Sequence, residues 1–371
     1  GARIRTRLVG KQDLDKKTGR EKAMGAKFPF TNLVFEGGGV KGVAYLGALE
    51  VLEERGILGQ ITRVAGASVG GLNALLFSLG YSTAETRKVI WSLDFKKFMD
   101  DDWGLVRDSR RFIRSYGWYK GDFFSRWAGR LIKAKTGSSL ATFADFKELG
   151  LRDLSLVVTN LATGFSEICS YEHTPNMPVV RALRMTISIP FFFTAVPGKG
   201  NDLYVDGGLL RNYPVKIFDR EKYLAEDCLE RHSIDTEYYA ADNASRAAGS
   251  SAYVYNKETL GFRLDPRDKI NVLRDGGRPR RRKVGDLFDF VSAVVSTVLD
   301  AQQSMHLHSD DWQRTVYIDS LDVGTLDFKL KASQKAALVE QGRLGVQQYL
   351  KWFETARGRH RPCNHPAYKP G

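Results

Sequence analysis

The sequence predicts an α/β fold, a mostly parallel sheet covered by helices. Two observations carry this. Near the start, a short apolar run twice gives way through a glycine-rich turn to a segment with one apolar face at helical spacing. Strand-like runs then recur along the chain between helical stretches. The 371 residues are 43% hydrophobic and 27% charged, enough for one elaborated domain with a sizeable core.

The elements follow in order. Residues 1–28 are polar and basic and read as a flexible arm. Leu33 to Glu36 reads as a buried strand, after which Tyr45, Ala48, Leu49 and Leu52 form one helix face that Gly56 closes. "ITRVAGAS" is a second strand ending at Ser68, and Leu72, Leu75, Leu76 and Leu79 repeat the helical spacing up to Gly80. Residues 95–135 interleave aromatics and arginines and read as helices with an amphipathic outer face. "LSLVVTNLATG" is a further strand with its exit turn, and "DLYV" leads as a strand into "DGG". From Lys216 to Ser251 the composition turns polar, as in a flexible insertion. "VYNKETLGFRL" resumes a strand pattern; Leu287, Phe290, Val291, Val294 and Val298 mark the buried face of an amphipathic helix. "RTVYIDS" is a late strand, Lys331 to Phe353 a terminal helix, and 356–371 a basic tail. One domain over 29–355 is expected.

No uncharged run approaches the ~20 residues that span a bilayer. Met185 to Gly198 is broken by Pro190, and Phe290 to Leu299 lies between two aspartates, so both are expected in the core. Three dispersed cysteines (Cys169, Cys228, Cys363) form no CxxC pair, which argues against a disulfide framework or a zinc site and for a reducing compartment. The net charge of +13 draws the chain to anionic surfaces. Part of it sits in "GGRPRRRK" (276–283), either a solvated loop or a phosphate-contacting patch. No nucleic-acid-binding signature accompanies it, which favours acidic membrane over nucleic acid as partner.

The chemistry starts at "FEGGGVKG". Gly37, Gly39 and Gly42 satisfy the dinucleotide pattern G-x-G-x-x-G, but the acid expected about 20 residues on is missing from "LGQITRVAGAS". A P-loop needs Lys and Ser/Thr at its far end, whereas Gly42 is followed by Val43 and Ala44. Both phosphate readings therefore fail. Gly66-Ala67-Ser68-Val69-Gly70 is G-x-S-x-G between a strand and a helix, the setting of a nucleophile elbow. Its turn is too tight for side chains at Gly66 and Gly70, and Ser68 stands at a helix N-terminus, where the dipole favours negative charge.

A serine nucleophile needs a base. None of the six histidines (His173, His232, His306, His308, His360, His365) sits in a recognisable triad setting, although a Ser–Asp–His order stays open. Asp206 is the better base: it ends a strand and precedes two glycines that allow close backbone approach. An exposed aspartate is too weak a base at neutral pH, but one buried beside Ser68 would have its pKa raised.

These residues resemble the patatin-like phospholipase family of bacterial type. Its motifs stand in order as Gly37-Gly38-Gly39-Val40-Lys41-Gly42, Gly66 to Gly70 and Asp206-Gly207-Gly208, with "VVRALRMTISIPFFFTAV" before the last, and the likeness covers roughly Phe30 to Phe353. The resemblance implies a three-layer fold with helices on both faces of the sheet. It implies a Ser68–Asp206 dyad cleaving fatty-acyl esters of membrane phospholipids through an acyl-enzyme, with no histidine, metal or cofactor. The glycine-rich loop (Gly37, Gly38, Gly39, Lys41, Gly42) would form the oxyanion hole, chiefly through the amides of Gly38 and Gly39. "SIPFFF" would line an acyl channel or simply fill the core, and Lys41 would meet a lipid phosphate or solvent. An acyltransferase or a non-lipid esterase would use the same residues; a non-catalytic lipid-binding module would not need them. Several bacterial relatives of this kind are toxins, effectors or defence proteins, so an activating partner or signal, and delivery to a host cell, join a cytoplasmic or peripheral-membrane location among the expectations.

Overall fold

The structure is a computed structural model and describes residues 28–93, 117–276, 278, 281, 284, 285, 287–306, 310–356, 362 and 365. The expected N-terminal arm, the start of the aromatic and arginine-rich stretch, and most of the basic loop and basic tail lie outside the described residues.

From the N-terminus, β1 (Asn32–Phe35) runs into the glycine loop, a 3-10 turn over Gly39–Val43 and α1 (Ala44–Glu54). β2 (Arg63–Ala67) passes directly into α2 (Ser68–Ser78), and α3 (Thr83–Trp91) opens with a capping box between Ser82 and Glu85. After β3 (Gly117–Tyr119) come α4 (Asp122–Thr136), α5 (Phe143–Glu148), β4 (Asp153–Asn160), β5 (Phe165–Ser170) and α6 (Val179–Thr186). β6 (Phe191–Phe193), β7 (Val196–Pro197), β8 (Leu203–Asp206) and α7 (Gly208–Arg211) complete the first two thirds. The remainder holds α8 (Leu229–His232), β9 (Ser233–Ile234), α9 (Ala240–Ser245), β10 (Tyr255–Asn256), β11 (Thr259–Asp265) and α10 (Arg267–Asp275). It ends with α11 (Leu287–His306), β12 (Thr315–Asp319) and α12 (Ala332–Ala356).

The central sheet has the order β12-β11-β1-β2-β4-β8-β7, with β5 also on β4. From β12 to β4 every pairing is parallel; β5, β7 and β8 join antiparallel. Helices cover both faces, as expected of an α/β fold. Strands buried on both faces read as near-continuous apolar runs, and β1 and β11 are buried along their whole length. No helix among the described residues is long and apolar enough to cross a membrane.

The register on β4 sets up everything that follows. Ser155 to Val157 pair with both β2 and β5, so those two strands lie on opposite edges of β4. Val158 to Asn160 pair with β5 and β8, which puts β8 on the same edge as β2, just beyond its end. Ala67 sits opposite Val157, and Asp206 opposite Val158. The residue after Ala67 therefore runs straight into Asp206.

The polar segment 216–251 is anchored near its start, where Asp219 accepts two bonds from buried Arg314 (2.5 and 2.7 Å) and one from Tyr239, while residues 240–242 and 244–249 are exposed. In α11 the inward residues are Val291, Val295 and Leu299, whereas Phe290, Val294 and Val298, expected inside, are exposed. The helix is apolar over an arc wider than the ~100° a single packed face requires, so periodicity alone chose the wrong edge of that arc.

Candidate active site

Ser68 opens α2 with φ of 53°, a left-handed conformation rare outside glycine. Strain of this kind persists only where neighbours over-determine it. Here the Ser68 N–H donates to Thr186 Oγ1 (3.0 Å), and that hydroxyl donates to the Val157 carbonyl (2.5 Å). The elbow glycines are sterically required: a Cβ on Gly66 would stand 2.4 Å from the Gly70 carbonyl carbon, and one on Gly70 would stand 2.5 Å from the carbonyls of Phe35 and Glu36.

Asp206 is buried, at the end of β8. Its Oδ1 accepts from the Gly208 N–H (2.7 Å), while Oδ2 has no hydrogen bond of ordinary geometry. Burial pushes the carboxyl up to about 7, with the Ser68 hydroxyl and then the Gly208 amide pulling against the rise. An acid of that strength is half ionised near neutral pH, as a general base should be. Gly207 is what lets the strand end come this close: a Cβ there would lie 2.1 Å from the Val157 carbonyl oxygen.

The glycine loop forms the third wall. Gly39, with φ of 56°, passes so near Thr325 that a Cβ would meet its carbonyl oxygen at 2.0 Å. The amides of this loop do not all face the serine. Gly37 N–H donates to Asn212 O (3.1 Å), Val40 N–H to Thr325 O (3.2 Å) and Lys41 N–H to Gly38 O (3.3 Å). Gly42 packs on Val69. Gly37 and Lys41 are thus corrected as oxyanion donors, because their N–H groups are taken up by Asn212 and Gly38. Gly38 and Gly39 stand at the head of the 3-10 turn, where N–H groups lack intrahelical acceptors. The Lys41 side chain is buried rather than solvated; burial raises the Asp265 carboxyl, and the Lys41 charge is among those that oppose the rise.

Asn212 was not singled out by sequence, although it lies in "DGGLLRNYP". Its Nδ2 donates to the Gly37 carbonyl (3.0 Å) and to Glu36 (3.3 Å), answering the Gly37 amide's bond to its own carbonyl. Glu36 in turn accepts from the Leu264 N–H (2.7 Å), so the loop is tied to β11 as well. Thr186 was missed for want of any local signal; only the fold brings it under Ser68.

The pocket is lined by Gly37 to Gly39, Ser68, Asp206, Asn212, Ile189, Pro190, Leu209, Thr325 and, from α11, Val295 and Leu299. It encloses about 10 Å³, room for about one water. Of "SIPFFF", Ile189 and Pro190 reach this wall, while Phe192 and Phe193 fill the core. Among the described residues no histidine lines the pocket; His173 bonds Ser170, His232 bonds Glu258 and His365 meets Tyr317 edge-on. Cys228 stands with His232 and Glu258, a trio that sequence spacing did not suggest, but Glu258 already accepts from Thr31 (2.7 Å) and meets His232 Nδ1 at 2.6 Å.

The family model described as "Patatin-like phospholipase" matches residues 33–219. The uncharacterized protein YqhO of Bacillus subtilis is 30% identical over 331 residues, covering 86% of this chain and 97% of the relative. The probable lipid hydrolase 463L of Invertebrate iridescent virus 6 is 27% identical, over 51% of this chain and 63% of its own. Among solved structures, VipD from Legionella pneumophila superposes with a TM-score of 0.52 at 18% identity, over 87% of this chain and 67% of VipD, a likeness of fold.

Proposed function

The chain belongs to the patatin-like phospholipase family, and on that premise we propose that it is a lipid acyl hydrolase with Ser68 as nucleophile and Asp206 as base. The observation that carries the reading is the abutment of a strained serine, the first residue of α2, on a buried carboxyl whose affinity for a proton sits near neutral. The substrate class is supported by the viral relative described as a probable lipid hydrolase, and the apolar side chains of Ile189, Leu209, Val295 and Leu299 around Ser68 match the chemistry of the acyl chain of a membrane phospholipid or lysophospholipid.

In the first step Asp206 accepts the Ser68 proton as Oγ bonds to the ester carbonyl carbon. The carbonyl π electrons move onto oxygen, and that oxyanion is received by the amides of Gly38 and Gly39 and the N-terminal turn of α2. Each such donor is worth about 3–4 kcal/mol in the transition state. Collapse expels the alcohol of the lipid, which leaves with the proton held on Asp206. A water then gives its proton to Asp206, attacks the acyl-enzyme, and releases the fatty acid as Ser68 is reprotonated.

The test is release of labelled fatty acid from phospholipids labelled separately at each acyl position. Wild type should release label and Ser68→Ala should not. Undiminished release by Ser68→Ala would remove the assignment. Transfer of label to an added alcohol instead of water would make the enzyme an acyltransferase.

A further inference from the structure

α11 has apolar residues on two sides. Val291, Val295 and Leu299 face inward, the last two as part of the pocket wall above Ser68 and Asp206. Phe290, Val294 and Val298, spaced i, i+4 and i+8, form a second stripe that is 55%, 41% and 37% exposed. Three large apolar side chains in one line on solvent are costly unless something covers them. Gln302 of the same helix donates to the carbonyls of Gly208 (2.9 Å) and Leu209 (2.5 Å) and accepts from the Asn212 N–H (3.0 Å), which fixes the stripe beside the segment that carries Asp206. The chain leading into α11 is cationic, with Arg278 and Arg281 exposed and Val284 52% exposed after them.

From this arrangement we infer that the outer face of α11 is a docking surface for an anionic phospholipid membrane, with Phe290, Val294 and Val298 entering the lipid and Arg278 and Arg281 meeting its headgroups. The combination of an apolar stripe with adjoining cations is what an interfacial helix presents to a bilayer, and the excess of 13 positive charges adds a longer-range attraction. The inference rests on the lipid-hydrolase reading for its choice of occupant. A surface held against the outer stripe lies across α11 from the pocket wall formed by Val295 and Leu299, which brings the lipid close to Ser68 and Asp206.

The test measures binding in the Ser68→Ala background, where no hydrolysis alters the vesicles. Ser68→Ala protein is sedimented with vesicles of phosphatidylcholine, with and without phosphatidylserine, and compared with the same protein carrying Phe290→Ser, Val294→Ser and Val298→Ser. The expected result is binding to the phosphatidylserine vesicles that weakens as salt rises, and a loss of about tenfold or more in the triple variant. Phe290→Trp, which keeps the stripe apolar, supplies a second readout: its fluorescence should be quenched by brominated lipid beyond the quenching of the native tryptophans. Equal sedimentation of the two proteins, or no added quenching at position 290, overturns the docking surface. So does an oligomer of the wild type that the triple variant dissolves while vesicle binding stays the same, which would assign the stripe to a second copy. Stripe-dependent binding without fatty-acid release by the wild type would overturn the hydrolase reading and leave the docking surface standing.

Discussion

Asp206→Asn separates what the carboxyl does for the reaction from what it costs the fold. Burial raises the group from an ordinary 3.8 to about 7, so the folded chain keeps its proton through a range in which the unfolded chain has lost it. The fold is therefore favoured below pH 4 and loses stability as pH climbs from 4 to about 7. The shift of about three units corresponds to roughly 4 kcal/mol, on the order of the full desolvation cost of the carboxylate. Asparagine keeps the acceptor for Gly208 but puts an NH2 where Oδ2 had no ordinary hydrogen bond, a constant penalty of about 1–3 kcal/mol. The variant should be less stable than wild type at pH 4 and more stable at pH 8, a swing of up to about 4 kcal/mol. Urea unfolding followed by circular dichroism at a series of pH values reads this directly. Fatty-acid release by the variant should be abolished, and in the wild type kcat/KM should rise with pH through a midpoint near 7. A stability difference that stays flat from pH 4 to 8 would refute the argument that Asp206 is buried without a compensating partner.

Two further substitutions test the supports. Thr186→Val keeps shape but orphans the Ser68 amide and the Val157 carbonyl; stability should fall by about 2 kcal/mol in chemical denaturation, with kcat reduced more than KM because the nucleophile loses its backbone anchor. Arg314→Leu strands the buried carboxylates of Asp219 and Asp311 and should cost about 3–5 kcal/mol, while limited proteolysis opens between residues 219 and 251; adding Asp219→Asn should recover part of the loss, and no recovery would mean the pair is not what holds that segment.

Much of this was legible in the chain. The two strand–turn–helix units near the start can be read because each local choice agrees: apolar run, glycines where backbones touch, then 3.6-residue spacing. Asp206 was legible for a related reason, since glycine pairs after a strand advertise close approach. Thr186 and Asn212 were not, because their partners are 118 and 175 residues away and a threonine or asparagine at a helix end is ordinary in itself. The register that brings β8 onto the edge of β4 is likewise set by packing, not by any local pattern. α11 was misread because a helix apolar on both sides gives periodicity no single face to find.

Burial alone does not make Asp206 a base. Three carboxyls are buried around the glycine loop, and their partners sort them. Glu36 is taken up by the amides of Leu264 and Asn212. Asp265 is paired with Arg263 at 2.9 Å; burial raises its carboxyl, and the charges of Arg263, Lys269 and Lys41 oppose the rise. Asp206 has one backbone amide, a serine hydroxyl and no cation. Asp265 also keeps its Oδ2 without a hydrogen bond, but its carboxyl is held by Arg263, whereas the Asp206 carboxyl has beside it the Ser68 hydroxyl, which can give up a proton. Carboxyls in one neighbourhood are assigned their roles by how far their surroundings drive their proton affinities apart. Here the cations stiffen the loop that would receive the oxyanion, and the acid held by a single amide and no cation faces the serine.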